Sequence, residues 1–550
     1  TLKLKDATLK EIIRSLEEQS DFSFINNETV DLTPLVSIDM KRNQLEAALQ
    51  TIFNKTTIDW EIKSNHIILT NRTITTSPIQ KITISGYIID AESSEVLIGA
   101  NIYDQKTGAG TASNEFGFFS LTLPSGEAEL RFSYTGYAPE TRYLKLSGNE
   151  NLNIKLHANL QLDEIVIIGK KSKETGIQAT QMGTVELPLN ILKSTPVLLG
   201  EADIMKTIQM LPGVQAGLQG SAGVYVRGGG TDENLILLDG IPLYNVDHLL
   251  GFFSVFTPEA IKKVTFFKSS FPARFGGRLS SVIDVRTNDG DMYNYHGMAS
   301  IGLLSSKLQA EGPLWKGRTS FHVSARRSYL DLVVNRLLSD GDKVSTFFYD
   351  INAKVNHKFN DKSRLFISFY NGKDKFGSEF NDKDDTFHAN NKNYLNWGNT
   401  LIAGRWNYIF SPKLFSNTTV ALTNYHFGLD AGMYTSIMSN PKSESSIDSK
   451  YRSGIKDWAY RIDFDYYPAP AHHIKFGAGY LYHDFKPEVE SLRIKDIEEN
   501  TISDTTYNNL SNSHIYANEI SVYAEDDIHL SPRLSMNAGV HFSLFNVNNM

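Results

Sequence analysis

The chain has 550 residues, enough for three or more domains. Charged residues make up 21% of it and the net charge is −8, which excludes a basic nucleic-acid binder. With no cysteine there can be no disulfide, no thiolate metal site and no cysteine nucleophile. The chain opens on Thr1 without an apolar leader, as a processed, exported protein would. No apolar run approaches the roughly 18–20 residues of a transmembrane helix. That excludes nothing about a transmembrane barrel, whose alternating strands escape hydropathy.

Residues 1–72 predict a small α+β domain. In DATLKEIIRSLEEQS, Leu9, Ile12, Ile13 and Leu16 share one helical face, and Thr8 and Glu11 have the spacing of a capping box. In RNQLEAALQTIF, Leu45, Ala48, Leu49, Ile52 and Phe53 repeat the pattern, with Asn43 and Glu46 at its start. Short strands FSFI, VSIDM, IDWEI and HIILT flank the two helices. A polar linker, NRTITTSPIQ, leads to residues 80–158, where short alternating runs (ITISGYII, GANIYD, GFFSLTLPSG, AELRFSYTGY, LNIKLH) predict a small antiparallel β-sandwich.

The sandwich is followed by LDEIVIIGKK, a strong short strand standing before a polar run, SKETGIQATQMG. Strands normally have edge partners within a domain, and this one lies between two. It reads either as a strand offered to another protein's sheet edge or as the last strand of the sandwich. Residues 175–290 are rich in glycine. EADIMKTIQMLPGV predicts a short helix stopped by Pro212 and Gly213. GVYVRGGGTDENLILLDGIPL predicts a strand, a glycine loop and a strand ending at Asp239-Gly240; AIKKVTFFKS and RLSSVIDVRT are two more strands.

From residue 293 to 550 the strands lengthen. In DWAYRIDFDYY, Trp458, Tyr460, Ile462, Phe464 and Tyr466 point one way, while Ala459, Arg461, Asp463 and Asp465 point the other. Short turns (GPLWKGR, FNDKSR, SPKL, YPAPAHH, SPRL) alternate with long polar loops such as NGKDKFGSEFNDKDDTFHANNKNY and VESLRIKDIEENTISDTTYNNLSN. That asymmetry predicts an outer-membrane barrel, because a soluble sandwich would bury the aromatic face against a second sheet. About eleven strands are expected here.

Candidate sites of other kinds fail on their own chemistry. The glycine loop lacks the Gly-Lys-Ser/Thr of a phosphate loop and leads to a strand instead of a helix. NDKDDT lacks the glycine and glutamate of a calcium loop. His472 and His473 are adjacent and so face apart on extended backbone. No catalytic residue, metal or cofactor is expected. Arg461, Asp463 and Asp465 would face a lumen; they either stand in water, or such wall acids pair with Arg227, Arg274 and Arg278 of the glycine-rich domain.

The domain order, with DIMKTIQMLPGV, VYVRGGG, NLILLDGIPL and IKKVTFFKSSFPARFGGRLSSVIDVRT, resembles the plug and barrel of TonB-dependent outer-membrane transporters. The plug residues that carry the likeness are Arg227, Gly228, Gly229, Gly230, Asp239, Gly240, Arg274, Gly276, Gly277 and Arg278. The departures are Phe275 in place of a tyrosine and Arg278-Leu279 inserted near the glycine pair. Residues 1–72 resemble the short N-terminal signalling domain shared by secretins and some of these transporters. Residues 80–158, including GTASNEFGFFSL, resemble the carboxypeptidase-regulatory-like sandwich. LDEIVIIG is similar to the TonB box, with Asp163, Glu164, Ile165, Val166, Ile167, Ile168 and Gly169 as its residues within a 162–170 segment.

The resemblance implies a small α+β domain (1–72), a β-sandwich (80–158), an α+β plug (175–290) and an antiparallel transmembrane barrel (293–550). Plugged transporter barrels have 22 strands, so the chain reads as truncated, with about half the wall present. The implied function is TonB-driven import of a scarce ligand across the bacterial outer membrane, with the N-terminal domains in the periplasm and no enzymatic activity. The implied partners are the TonB protein, outer-membrane lipid, a small-molecule, peptide or oligosaccharide ligand, an anti-sigma factor and a surface lipoprotein; nucleic acid is not among them. NLILLDG departs from the PLYVIDG style of the carbohydrate-importing SusC-like group. A barrel retained as a non-transporting scaffold is the alternative, and a dispensable TonB box would favour it.

Overall fold

A computed structural model describes residues 2–26, 30–40, 45–54, 56–72, 80–159, 183–187, 192, 201–217, 223–338, 341–437, 443–498, 501–509, 514–531 and 534–548. The chain divides into two compact units, Thr1–Gln80 and Lys81–Met550.

The first unit runs β1 (Leu2–Thr8), α1 (Leu9–Glu17), β2 (Ser23–Asn26), β3 (Leu35–Met40), α2 (Leu45–Phe53), β4 (Ile58–Lys63) and β5 (His66–Asn71). The expected capping box is present: the Glu11 N–H donates to Thr8 Oγ1 (3.3 Å) and the Thr8 N–H donates to Glu11 Oε2 (2.9 Å). Asn43, proposed for the second helix start, lies outside the described residues. Leu9, Ile12 and Ile13 from α1 and Leu49, Ile52 and Phe53 from α2 are buried in one core with Ile67 and Leu69. β1 was not anticipated. Its lysines Lys3 and Lys5 interrupt any apolar signal, yet it pairs with β3.

The second unit opens with the sandwich: β6 (Lys81–Asp90), β7 (Asn101–Asp104), β8 (Gly110–Ala112), β9 (Phe118–Pro124), β10 (Gly126–Ser133), β11 (Glu140–Leu146), β12 (Glu150–Asn151) and β13 (Ile154–Leu156). One sheet has the order β11-β10-β7-β8; in the other, β12 and β13 both pair with β6 in parallel and β9 pairs with it antiparallel. The expected all-antiparallel sandwich is therefore mixed, because β12 and β13 run alongside β6 in its own direction. β6 is buried on both faces after its first residue, with Thr83 and Ser85 buried between Ile82, Ile84 and Ile88. Ile82, Ile84 and Ile88 enter the sandwich core, whereas Tyr87 and Ile89 pack with Ile409, Phe415 and Tyr467 of the barrel.

The plug contains β14 (Thr184–Leu187), α3 (Ile204–Gln209), β15 (Val214–Ala216), β16 (Val224–Val226), β17 (Asn234–Leu238), β18 (Ile241–Pro242), β19 (Asp247–His248), β20 (Phe253–Ser254), β21 (Ile261–Phe267) and β22 (Ser281–Thr287). Asp203 caps α3, accepting the Lys206 N–H at 3.0 Å. The main sheet has the order β14-β21-β22-β17-β18, with β17 and β22 parallel. Its core (Ile204, Ile208, Val224, Val264, Phe266, Ile283) continues into Tyr370, Leu401, Ala403 and Ala421 of the barrel wall.

The wall comprises β23 (His296–Ile301), β24 (Ser305–Trp315), β25 (Thr319–Ser328), α4 (Leu330–Val334), β26 (Lys343–Asn360), β27 (Ser363–Lys383), β28 (Phe387–Ser411), β29 (Leu414–Ile437), β30 (Ser443–Ala469), β31 (His472–Glu498), β32 (Thr501–Asn509), β33 (Ile515–Ser531) and β34 (Leu534–Asn548). Twelve strands form one antiparallel sheet among the described residues, β32 pairing beside the far end of β31 and the other eleven following in chain order. Four of the five expected short turns occur where expected; in the fifth, SPRL, Ser531 pairs with Leu534 and the two residues between lie outside the described residues. The segment expected as a long loop over 371–394 is instead a hairpin arm: pairing runs unbroken from Asn371↔Thr400 to Lys383↔His388. Its polar residues alternate well enough to keep register once the strands below have set it. At the arm's tip Asp384 accepts the N–H groups of Thr386 and Phe387 (both 2.7 Å), so NDKDDT makes a turn.

Alternation divides the wall into two faces. Ile367, Phe369, Ile402, Trp406, Val420, Trp458, Tyr460, Val522, Phe542 and Leu544 are exposed, while Asp350, Lys354, Asp374, Asn399, Asp457 and Glu525 are buried against the plug. A sheet with an apolar outside and a polar, plug-filled inside is a lipid-facing barrel wall. No described helix is long and apolar enough to cross a membrane.

Candidate functional site: the seat of the plug

Three polar clusters join plug and wall, and each grows from a local feature of the sequence. The first is built on YNVDHLLGFFS. Asn245, Leu249 and Leu250 adopt left-handed backbone there (φ 41°, 47° and 59°), a costly conformation that persists only when the surroundings fix it. They do so through His248. Its Nδ1 lies 2.5 Å from Asp374 Oδ2 and its Nε2 lies 2.8 Å from Asp350 Oδ1, with the ring stacked on Phe348 at 4.3 Å. The Leu249 N–H also donates to Asp374 Oδ1 at 2.9 Å.

Asp350 additionally accepts from Arg326 Nη2 (2.7 Å) and Tyr370 OH (2.8 Å). His248, Asp350 and Arg326 are each 1% exposed. Burial alone would lower the His248 pKa, but the carboxylates of Asp350 and Asp374 raise it to about 9, so both ring nitrogens donate. Beside it, burial and the Asp203 carboxylate push Asp247 up to about 6. The cluster extends sideways through Trp397 Nε1, which donates to the Asp247 carbonyl (2.8 Å), and Tyr244 OH, which donates to Asp457 Oδ2 (2.6 Å). His483 holds the other oxygen of Asp457 at 2.7 Å.

The second cluster sits on the LLDG turn. Asp239 (φ 53°) and Gly240 (φ 82°) take the paired left-handed conformations of a tight hairpin between β17 and β18. The Asp239 carboxylate caps the Thr287 N–H and hydroxyl (3.1 and 2.7 Å) and meets Lys354 Nζ of β26 at 3.0 Å. Lys354 also reaches Asp289 at 3.2 Å. Burial opposes the Asp239 charge, and the Lys354 ammonium outweighs it, holding the carboxyl below its usual range.

The third cluster lies at the short-turn end, where sandwich, plug and wall meet. Arg274 Nη1 pairs with Glu525 Oε1 of β33 at 2.7 Å, and its Nη2 lies 3.2 Å from Glu115 Oε1 of the sandwich. Arg286 Nη2 meets Glu115 Oε2 at 2.9 Å. Burial would raise the Glu115 pKa, but the two guanidiniums hold it far below the ordinary range. Arg461 pairs with Asp463 (2.8 Å) and donates to the Arg274 carbonyl (3.1 Å). Beside this cluster is a cavity of about 860 Å³ whose lining includes Thr184, Glu186, Lys263, Arg274, Arg286 and His473.

Of the plug residues singled out in the sequence, Arg274 and Asp239 make the wall contacts just described. Arg227 instead donates to Ser269 within the plug (2.6 Å), and Arg278 donates to the adjacent Gly277 carbonyl (2.7 Å). The expected pairing with wall acids thus holds for one arginine of three. Gly228 and Gly277 have φ of 89° and 76°. A Cβ on Gly229 would strike Ser280, and one on Gly276 would strike the His541 ring of β34, so both glycines allow close approach. Gly230 leads into the turn that precedes β17. Asp163, Glu164, Ile165, Val166, Ile167, Ile168 and Gly169 lie outside the described residues.

His472 and His473 face apart, pairing with Asp526 and Asp465 respectively (both 2.7 Å). No group of three or more His, Asp or Glu among the described residues is arranged to hold a metal. Sequence reasoning missed His248, Lys354 and Glu115, and of their partners it missed Asp350 and Asp374 while naming Asp239 and Arg274. The one available signal was the charge on the inward face of the strands, which marks a row of buried residues without saying what each meets.

A family model for the CarboxypepD_reg-like domain matches residues 84–167, and one for the TonB-dependent receptor plug domain matches residues 198–282. Residues 198–282 are thus similar to the plug domain of TonB-dependent receptors. The curated relatives that the chain matches are named as TonB-dependent receptors. The TonB-dependent receptor SusC of Bacteroides thetaiotaomicron is 28% identical over 232 residues, 38% of this chain and 21% of that protein. The TonB-dependent receptor P3 of Formosa agariphila is 29% identical over 180 residues, 29% of this chain and 16% of that protein. These matches thus span about a fifth or less of the relatives' own length. They include SusC itself although NLILLDG departs from that group's style. Among solved structures, P. aeruginosa FpvA bound to a heterologous pyoverdine is 11% identical, with 100% of this chain and 65% of that one covered at a TM-score of 0.45. The chain belongs to the bacterial outer membrane, and the curated relatives that it matches are receptors, not enzymes.

Proposed function

We propose that the receptor imports a scarce ligand across the outer membrane, with energy delivered by the TonB protein. The observation that carries this is the plug sheet seated on the inward face of the wall by buried ion clusters that span sequence separations of more than a hundred residues. A channel filled by a separately folded plug passes cargo only if the plug is displaced, and displacement needs work from outside the chain. No reacting centre is required of the receptor itself.

Residues 163–169 are the proposed handle. Four successive β-branched residues, Ile165 to Ile168, favour extended backbone, and a strand without a partner can add to another protein's sheet edge. The sandwich-family match runs through Ile167, which also supports a role for this strand in completing the sandwich when TonB is absent. The handle lies between β13 of the sandwich and β14 of the plug, so a pull on it loads both. The ligand is a small molecule, a peptide or an oligosaccharide, with a surface lipoprotein as companion. The first unit is proposed to signal occupancy to an anti-sigma partner. Its own two-helix core means that its loss need not disturb the barrel.

The test is uptake. A deletion strain should lose accumulation of one ligand class among siderophores, cobalamin, peptides and glycans, and a strain lacking TonB should lose the same one. Deleting residues 1–72 should spare that uptake and abolish ligand-induced transcription. Normal uptake of every class in the deletion strain would defeat the proposal.

A further inference from the structure

The loop that joins β8 to β9 in the sandwich, SNEFGF (113–118), reaches across two other bodies at once. Glu115 is the only one of its side chains to meet two plug arginines. Arg274, one of that pair, is shared with the wall carboxylate of Glu525. Next to it Phe116 is stacked on Phe415 of β29 (5.4 Å) beneath the guanidiniums of Arg286 and Arg405. Phe118 stacks on the same Phe415 at 5.2 Å, and Asn114 Nδ2 donates to Asp465 Oδ2 of β30 at 3.1 Å. Along the same seat Glu95 accepts the Asp289 N–H and the Ser93 carbonyl accepts the Met292 N–H (2.5 and 2.9 Å).

The two halves of this contact differ in kind. The aromatic half binds the sandwich chiefly to the wall, with one plug group, Arg286, over Phe116. Glu115 binds sandwich to plug. Arg274 and Arg286 are 9% and 11% exposed, and withdrawal of Glu115, 30% exposed, would leave Arg274 with Glu525 and Arg286 with Asp284 as their remaining acids. A shift of β22, which carries Arg286, or of the 268–280 loop, which carries Arg274, cannot leave Glu115 in place.

We propose that the sandwich is a latch on the plug, and that Glu115 is the positioning residue that couples them: the plug holds its seat while the sandwich is docked, and a displaced plug ejects the sandwich from the short-turn end of the barrel. The ejection step rests on the import reading above; the coupling does not.

The coupling is tested by hydrogen exchange on the purified full chain in detergent, which requires no ligand. Glu115→Gln, close in shape but uncharged, should raise exchange roughly tenfold in peptides from 261–287 as well as in 113–118, and Glu115→Asp should restore part of the protection. Exchange that rises in 113–118 alone would overturn the latch. The ejection step is read by a single thiol introduced into these 550 residues, which contain no cysteine. Asn114→Cys, 7% exposed in the docked state, should react with a small maleimide several-fold faster in TonB-competent cells than in cells lacking TonB. Equal rates with coupled exchange intact would count against TonB-driven displacement while sustaining the coupling. Equal rates with uncoupled exchange would overturn both.

Discussion

The His248 cluster and the Glu115 cluster both fasten the plug, yet they are made differently. At His248 the imidazole and both acids are 2% exposed or less, an arginine and a tyrosine complete the shell, and an aromatic ring covers it. At Glu115 the acid keeps 30% of its side-chain surface, and the cluster borders a cavity of about 860 Å³. Charges packed without water are strongly held because separating them strands each one in a dry site, whereas charges beside water separate at little cost. The His248 contact is therefore the harder to part and the Glu115 contact at the short-turn end the easier, although Arg274 there also keeps a buried partner in Glu525. The short-turn end is also where the proposed TonB handle joins the plug, through β14, an edge strand paired over only four residues.

That contrast can be broken most severely at Asp350. Asp350→Ala leaves His248 and Arg326 charged and buried with one partner fewer, and should lower stability by about 3–5 kcal/mol. Thermal unfolding of the purified receptor would show it as a fall in Tm; an unchanged Tm would mean that the cluster is wetter than described.

A second probe is pH. The folded-state pKa of His248 is raised to about 9 from an ordinary value near 6.5, so its contribution is fully present below about 6.5 and is lost as pH rises through about 9. Asp247, raised to about 6, weakens the fold in the same direction over a lower window, from about 4 to 6. The other charged groups facing these two are Asp203, Lys206, Asp350, Asp374 and Arg326. Stability should thus decline from pH 6.5 to 9 by up to about 3 kcal/mol, and His248→Gln should flatten that slope. A slope of the opposite sign would show that His248 is neutral.

The smallest effect is expected at the wet end. Glu115→Gln should cost about 1 kcal/mol and should be masked by salt, since a partly exposed pair is screened. A salt-independent loss as large as that at Asp350 would erase the distinction between the two clusters.

Much of the fold was legible in the sequence for a physical reason. Alternation is a property of neighbouring residues, so Trp458, Tyr460 and Tyr466 declared their outward face, and two-residue turns such as that between β28 and β29 declared the strand ends. The arms above the barrel were misread as loops because Asn and Lys carry little strand propensity, and the register is imposed from below. The seat itself was not legible. His248 and Asp350 stand 102 residues apart, and Arg274 and Glu525 stand 251 apart; only the folded wall brings them together. Arg274, Arg227 and Arg278 looked alike in sequence, and what separates them is that Arg274 alone lies opposite a buried wall acid.

The central claim, that force enters through residues 163–169 to displace the plug, is tested most directly by Val166→Pro. Proline removes a backbone donor and blocks strand addition on that edge. With the ligand identified by the uptake screen, the variant should bind that ligand at the surface as the unmodified receptor does and accumulate none of it. Accumulation at the normal rate would contradict the account.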